Sequence, residues 1–171
     1  MRLVLEGPDG AGKTTLAQYL MRAHTTAEYC HEGPPPASAS GDLTGLTMIA
    51  YYACRLREPM GSATFRVHDR WALGERVYGP TFRGHDVLGD AGMRVLWRVL
   101  EACDARCVVC LPPFEVVEAN WRAKIGDLTK DADQLRRAWD AFQRFSQQYD
   151  LDVYDYTTHD PADFFARELE A

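Results

Sequence analysis

Apolar positions along this chain follow two periods, short runs of strand type and longer stripes of helical type. Leu3-Val4-Leu5 is a short apolar run ending in glycines, and Thr14 to Ala23 carries Leu16, Leu20 and Ala23 at helical spacing. A second short strand is predicted at Glu28 to His31, followed by the loop Gly33-Pro34-Pro35-Pro36. Leu43 to Leu56 reads as a helix with Leu46, Ile49, Ala50 and Ala53 on one face. Thr64 to His68 reads as a third strand, less apolar than a central strand usually is because of Arg66. Helical segments follow at Trp71 to Tyr78 and Leu88 to Ala102. Arg106 to Leu111 is the clearest strand, stopped by Pro112-Pro113. A helix from Glu115 to Ala123 precedes the strongest stripe, Asp133 to Tyr149, with Leu135, Ala138, Trp139, Phe142, Phe145 and Tyr149 together. Asp152 to Tyr156 is the last predicted strand, and Asp160-Pro161 opens a final helix as cap and first-turn proline.

Strands alternating with helices imply an α/β domain, a doubly wound five-stranded parallel sheet with helices on both faces. No internal repeat is visible, and residues 1–171 read as a single domain. In such sheets ligands bind beyond the carboxyl ends of the strands, which is where the chemistry-bearing motifs fall.

The first of these is Gly7-Pro8-Asp9-Gly10-Ala11-Gly12-Lys13-Thr14, a match to G-x-x-x-x-G-K-[ST]. It follows the first strand and opens a helix, as a phosphate-binding loop must. Glycines allow the loop to wrap a phosphate with its N–H groups inward, and the helix adds its positive end. Lys13 is expected to reach the outer phosphates of ATP, and the Thr14 hydroxyl to hold Mg²⁺. Gly7, Asp9, Gly10, Ala11, Gly12, Lys13, Thr14 and Thr15 are thus the expected nucleotide-binding set.

Composition narrows the partners. The net charge of −6 disfavours a nucleic-acid polymer, since backbone binding needs a surplus of Lys and Arg, whereas a small anionic nucleotide needs only a local cationic cluster. No apolar window is long enough for a membrane span, the first apolar run is too short for a signal peptide, and a cytoplasmic location is expected. Five cysteines do not suggest a disulfide framework. Cys107 and Cys110 lie at an odd separation within a strand, so they point to opposite faces and read as buried thiols rather than zinc ligands.

The string Glu6 to Thr15 resembles the opening of the thymidylate kinases, E-G-x-D-G-A-G-K-T-T, and Asp69-Arg70-Trp71 with Val77-Tyr78 resembles that family's D-R-[YF] motif and trailing A-Y. The resemblance implies a nucleoside monophosphate kinase using Mg-ATP, host-cytoplasmic if the protein is viral, as in phage-type nucleotide kinases, and a homodimer. Asp69, at the end of the third strand, would order the metal or orient the acceptor. Arg70 would grip the acceptor's phosphate with its planar fork. Asp9 would lie near the acceptor sugar or the metal. The polar stretch from Arg122 to Asp131 corresponds to the family's lid, which makes Arg122 and Lys124 the candidates for charge neutralisation. A solvated helix end explains those two cations as well. Trp71, Tyr78 and Arg83 are candidates for contact with the acceptor, and Glu75 is one for a guanine edge. Core packing for Trp71 and an exposed helix position for Glu75 are the alternatives.

Two stretches depart from the family pattern. His31-Glu32-Gly33-Pro34-Pro35-Pro36 stands where the family usually has Arg-Glu-Pro-Gly-Gly, and the run after Arg70 lacks the family's serines and Tyr-Gln. The expected acceptor is therefore a deoxynucleoside monophosphate, dTMP first and dGMP or a broader choice next. A deoxynucleoside kinase, with Asp69 as base, is the rival, together with other small-molecule P-loop kinases. A GTPase-like switch lacks its N-K-x-D motif. Thr157-Thr158-His159-Asp160 follows the last strand, where kinases of this architecture usually hold adenine.

Overall fold

A computed structural model describes residues 1–32, 45–124 and 129–169 of the chain. The strands are β1 (Arg2–Glu6), β2 (Ala27–His31), β3 (Phe65–Asp69), β4 (Ala105–Cys110) and β5 (Asp152–Tyr154). They form one parallel sheet in the order β2-β3-β1-β4-β5. The helices are α1 (Lys13–Ala23), α2 (Gly45–Arg57), α3 (Glu75–Tyr78), α4 (Gly89–Ala102), α5 (Phe114–Arg122), α6 (Ala132–Gln148), α7 (Pro161–Phe164) and α8 (Ala166–Leu169). A 3₁₀ turn at Ala72–Gly74 leads into α3, and a π turn at Gly79–Arg83 leads out of it.

Both faces of the sheet are covered because the central strands carry apolar residues at consecutive positions. On one face Val4, Cys107 and Val109 pack with Tyr52, Leu96 and Phe142 from the helices. On the other, Leu3, Leu5, Val67, Val108 and Cys110 pack with Leu16, Leu20, Val117 and Leu135. Cys107 and Cys110 divide between the two cores, as their odd separation requires. The α6 stripe faces the core as expected, with Leu135, Ala138, Phe142 and Phe145 buried and Trp139 and Tyr149 partly buried against it, and Phe142→Ala would cost about 3–5 kcal/mol.

Three expectations need correction. The buried face of α2 is Met48, Tyr52 and Leu56, and Leu46 is 76% exposed. The larger side chains at i, i+4, i+8 win the core over the smaller ones chosen from the sequence, of which Ile49 alone packs against it. Arg66, the polar position noted in the third strand, is buried with the other four residues of β3, its guanidinium donating to the Glu28 carboxylate (2.6 Å) and to the carbonyls of Glu58 and Pro59. The last strand stops at Tyr154, before a turn, and the C-terminal helix is divided into α7 and α8. Gly33 to Thr44 and Ile125 to Leu128, which include the proline loop and the centre of the expected lid, lie outside the described residues.

Among the described residues, no helix is long and apolar enough to cross a membrane.

Candidate active site

The glycine loop bridges β1 and α1 at the carboxyl edge of the sheet. Gly12 caps α1 with φ 84°, a left-handed conformation, and a Cβ there would stand 3.1 Å from the Tyr156 ring. Both facts favour a residue without a side chain. Lys13 is buried, and its Nζ donates to the carbonyls of Gly7 and Pro8 at 2.7 Å each. Burial and the Arg70 charge push the Lys13 ammonium down to about 8, against the pull of Asp69 and Asp9. A triphosphate offers it a better partner than two loop carbonyls.

Thr14 follows, and its hydroxyl donates to Asp69 Oδ2 at 2.6 Å. The same oxygen accepts from the Tyr29 hydroxyl at 2.9 Å, and His31 Nδ1 is 3.7 Å away. Asp69 Oδ1 is buried with no hydrogen-bond partner among the described residues. A hydroxyl and an open carboxylate oxygen beside a phosphate loop are hard oxygen ligands, so Thr14 and Asp69 fit Mg²⁺.

Arg70 leaves β3 with φ 74°, a conformation rare for a non-glycine residue and characteristic of functional sites. Its N–H donates to the Leu5 carbonyl (2.9 Å), and its guanidinium donates to Asp9 Oδ1 and to the Tyr78 hydroxyl (2.8 Å). Tyr78 in turn donates to the Gly7 carbonyl at 2.9 Å, tying the turn after β3 to the loop. The other oxygen of Asp9 accepts from the Thr129 N–H (3.2 Å) and hydroxyl (2.8 Å). Burial would raise the Asp9 carboxyl, but Arg70, Lys13 and Thr129 outweigh it and hold the group below the usual range. Trp71 is buried, its Nε1 donating to the Tyr52 carbonyl at 3.0 Å. Arg83 is ion-paired with Glu75 at the rim.

Two cavities meet on this loop. One, of about 510 Å³, is lined by Gly12, Thr15, Tyr19, Asn120, Tyr154 and Tyr156. The second, of about 600 Å³, runs from Lys13, Thr14, Asp69 and Arg70 to Trp71, Tyr52, Glu75, Phe82 and Arg83. Gly10, Gly12, Thr15 and Lys124 line both, and Lys130 lines the second. Arg122 is not brought to either: it is paired with Glu118 one turn away and is largely exposed. Of the loop expected to hold adenine, the flanking Tyr156 and Pro161 line the first cavity, and Thr157 to Asp160 do not.

No protein-family model matches the chain, and no curated protein matches it either. Solved structures do. YorR from Bacillus subtilis, in complex with phosphorylated GDP, is similar with TM-score 0.74 at 19% identity, over 99% of this chain and 97% of that one. Deoxyadenosine kinase from M. mycoides with bound dATP is similar with TM-score 0.63 at 14% identity, over the whole of both chains. The same enzyme with its products dCMP and dCDP gives TM-score 0.62 at 12% identity, over 99% of both chains. The fold is that of the P-loop nucleoside and nucleotide kinases.

Several further polar residues, to which the sequence assigned no role, line or brace the cavities. Glu6, at the end of β1, and Glu32, just after β2, both line the second cavity. Asn120 donates to the Gly10 carbonyl (3.0 Å) and the Tyr156 hydroxyl (2.7 Å), bracing the loop against the first. Cys30, Glu32 and His68 bring their ligand atoms within 4.8 Å of one another. Both Glu32 oxygens are taken, however, by His68 Nδ1 (3.1 Å) and Arg55 Nε (3.2 Å). Burial would raise the Glu32 carboxyl, but these two partners outweigh it and hold it below the usual range. Glu32, His68 and Arg55 therefore form a network that ties the end of β2 to β3 and α2, with Cys30 beside it. The β2–β3 register, Cys30 opposite His68, is the signal that would have found it.

Proposed function

We propose that this chain is a nucleoside monophosphate kinase, transferring the γ-phosphoryl group of Mg-ATP to a deoxynucleoside monophosphate. The observation that carries the reading is that two nucleoside-sized cavities meet on one phosphate loop. The tyrosine-walled cavity suits the donor base, and the cavity beyond Arg70 and Trp71 suits the acceptor. Lys13, Arg70, Lys124 and Lys130 line the second cavity, where they neutralise the two facing phosphates. An oxygen of the acceptor phosphate attacks the γ-phosphorus, the bond to the β-phosphate oxygen breaks, and ADP leaves. That acceptor oxygen is already ionised near neutral pH, so no side chain has to remove a proton. Mg²⁺ held at Thr14 and Asp69 would supply positive charge between the β- and γ-phosphates. Arg70, already pre-aligned by Asp9 and Tyr78, presents its fork to the acceptor.

The test is ADP release, measured by coupled assay with dTMP, dGMP, dAMP, dCMP and the matching nucleosides. Turnover on monophosphates supports the reading, and turnover on nucleosides alone contradicts it. One observation favours that second outcome: Asp69 Oδ1, at the loop, is a buried carboxylate oxygen with no hydrogen-bond partner among the described residues, which a hydroxyl acceptor would supply. The second reading is accordingly a deoxynucleoside kinase with Asp69 as base.

A further inference from the structure

Glu6 is the last residue of β1, and its side chain is completely buried in the floor of the second cavity. Oε1 accepts from the N–H groups of Trp71 (3.0 Å) and Gly74 (2.9 Å), the turn that follows Arg70. Oε2 has no hydrogen-bond partner among the described residues. Gly74 packs against this oxygen: a Cβ there would stand 2.7 Å from Oε2. A buried carboxyl with one oxygen doubly bonded and the other bare is costly unless something else fills the second position.

Its place in the cavity says what that is. On one side lie the phosphate-binding groups Lys13 and Arg70; on the other lie Tyr52, Trp71 and Phe82, which suit a base. A nucleotide laid along this axis puts its sugar over Glu6. Of the other carboxylates lining the cavity, Asp9 has both oxygens engaged by Arg70 and Thr129, Glu32 has both engaged by His68 and Arg55, Glu75 pairs with Arg83 at the rim, and Asp69 lies at the phosphate end beside Thr14. We infer that the Glu6 carboxyl is a specificity-determining contact of the acceptor site, its bare Oε2 hydrogen-bonded to a hydroxyl of the acceptor sugar. Burial pushes the Glu6 carboxyl up to about 8, so near neutral pH it carries a proton to donate. The inference rests on the proposed kinase reading and sharpens its acceptor half.

The test crosses variants of the full chain with sugar analogues under saturating Mg-ATP. The probes are dTMP or dGMP, whichever the panel shows to be turned over, and its 2′,3′-dideoxy counterpart. In the wild type, loss of the hydroxyl is expected to lower kcat/KM by about 5–10-fold. Glu6→Met is expected to cost a similar factor with the deoxynucleotide and at most about twofold with the dideoxy analogue, leaving the KM for ATP unchanged. Glu6→Gln, which keeps a neutral donor, is expected to restore discrimination. Gly74→Ala, which keeps the backbone N–H that Oε1 accepts from but crowds Oε2, should raise the acceptor KM and flatten discrimination even if Glu6→Met does not fold. Equal losses on both analogues in Glu6→Met, or unchanged discrimination in Gly74→Ala, would overturn the sugar contact while leaving the kinase reading intact. Absence of turnover on every monophosphate would overturn the kinase reading itself.

Discussion

In the proposed reading the donor and acceptor halves of the site are built on different principles. The donor half centres on one continuous segment, Gly7 to Thr15, which would hold phosphates by backbone N–H groups and a helix terminus, with the Lys13 and Thr14 side chains beside them. The acceptor half is assembled from β1, β2, β3, α2 and the turn after Arg70, and works through buried side chains that partner one another. A backbone site needs particular φ angles and open space, which glycines announce in sequence. A side-chain site needs register, which only the fold supplies. The donor half therefore tolerates few changes in the loop, while the acceptor half can be retuned residue by residue.

The largest effect should come where the halves touch the transferred group. Lys13→Met is expected to lower kcat by about 10²–10³-fold, measured with any acceptor that is turned over. Next is Glu6, which belongs to the acceptor half yet directly precedes the donor loop. Its folded carboxyl titrates at about 8 against the ordinary 4.5. Between those values the native state holds a proton the unfolded state lacks. The contribution is full below pH about 4.5 and is lost as pH rises through about 8. Urea unfolding should show wild-type stability falling relative to Glu6→Gln by up to about 1 kcal/mol per pH unit across that window. Arg70, Lys13, Tyr52, Tyr78, Cys107 and Cys110 all interact electrostatically with this carboxyl, so the difference between the two proteins is the quantity to follow.

Arg70→Lys removes the planar fork and keeps the charge. It is expected to lower kcat/KM for the acceptor by about 10²-fold while the KM for ATP changes less than about twofold. An equal loss on both substrates would erase the division between the halves. Gly12→Ala forces a left-handed alanine against Tyr156 and should cost about 1–2 kcal/mol in urea unfolding, with weaker ATP binding. The smallest effect is expected at Arg122→Ala, within about twofold in kcat, because its partner is Glu118 on an exposed face. Lys124→Ala, which changes a residue lining both cavities, should lower kcat by about tenfold.

Most of the fold was legible because strand and helix periods alternate cleanly and each predicted strand pairs in the sheet. The face of α2 was misread because amphipathic spacing alone does not rank Met48 and Tyr52 above Leu46 and Ile49. The glycine loop lies between β1 and α1, where the sequence placed it. In the acceptor half Asp69 and Arg70 stood out as a motif, whereas Glu6 and Glu32 were visible only as letters of longer strings, and neither they nor His68 suggested a role in the site. Glu6 passes for the residue before a glycine loop, and the Glu32–His68 bond exists only because β2 lies beside β3 in one register. Thr129, which holds Asp9 from 120 positions away, is equally invisible to spacing.

The most direct test of the central claim, that one loop serves two nucleotide cavities, is to follow γ-labelled ATP in the presence of Mg²⁺ and a deoxynucleoside monophosphate. Label moving to a deoxynucleoside diphosphate in step with ADP formation is the expected result. Label released only as inorganic phosphate, at a rate indifferent to the acceptor, would contradict it.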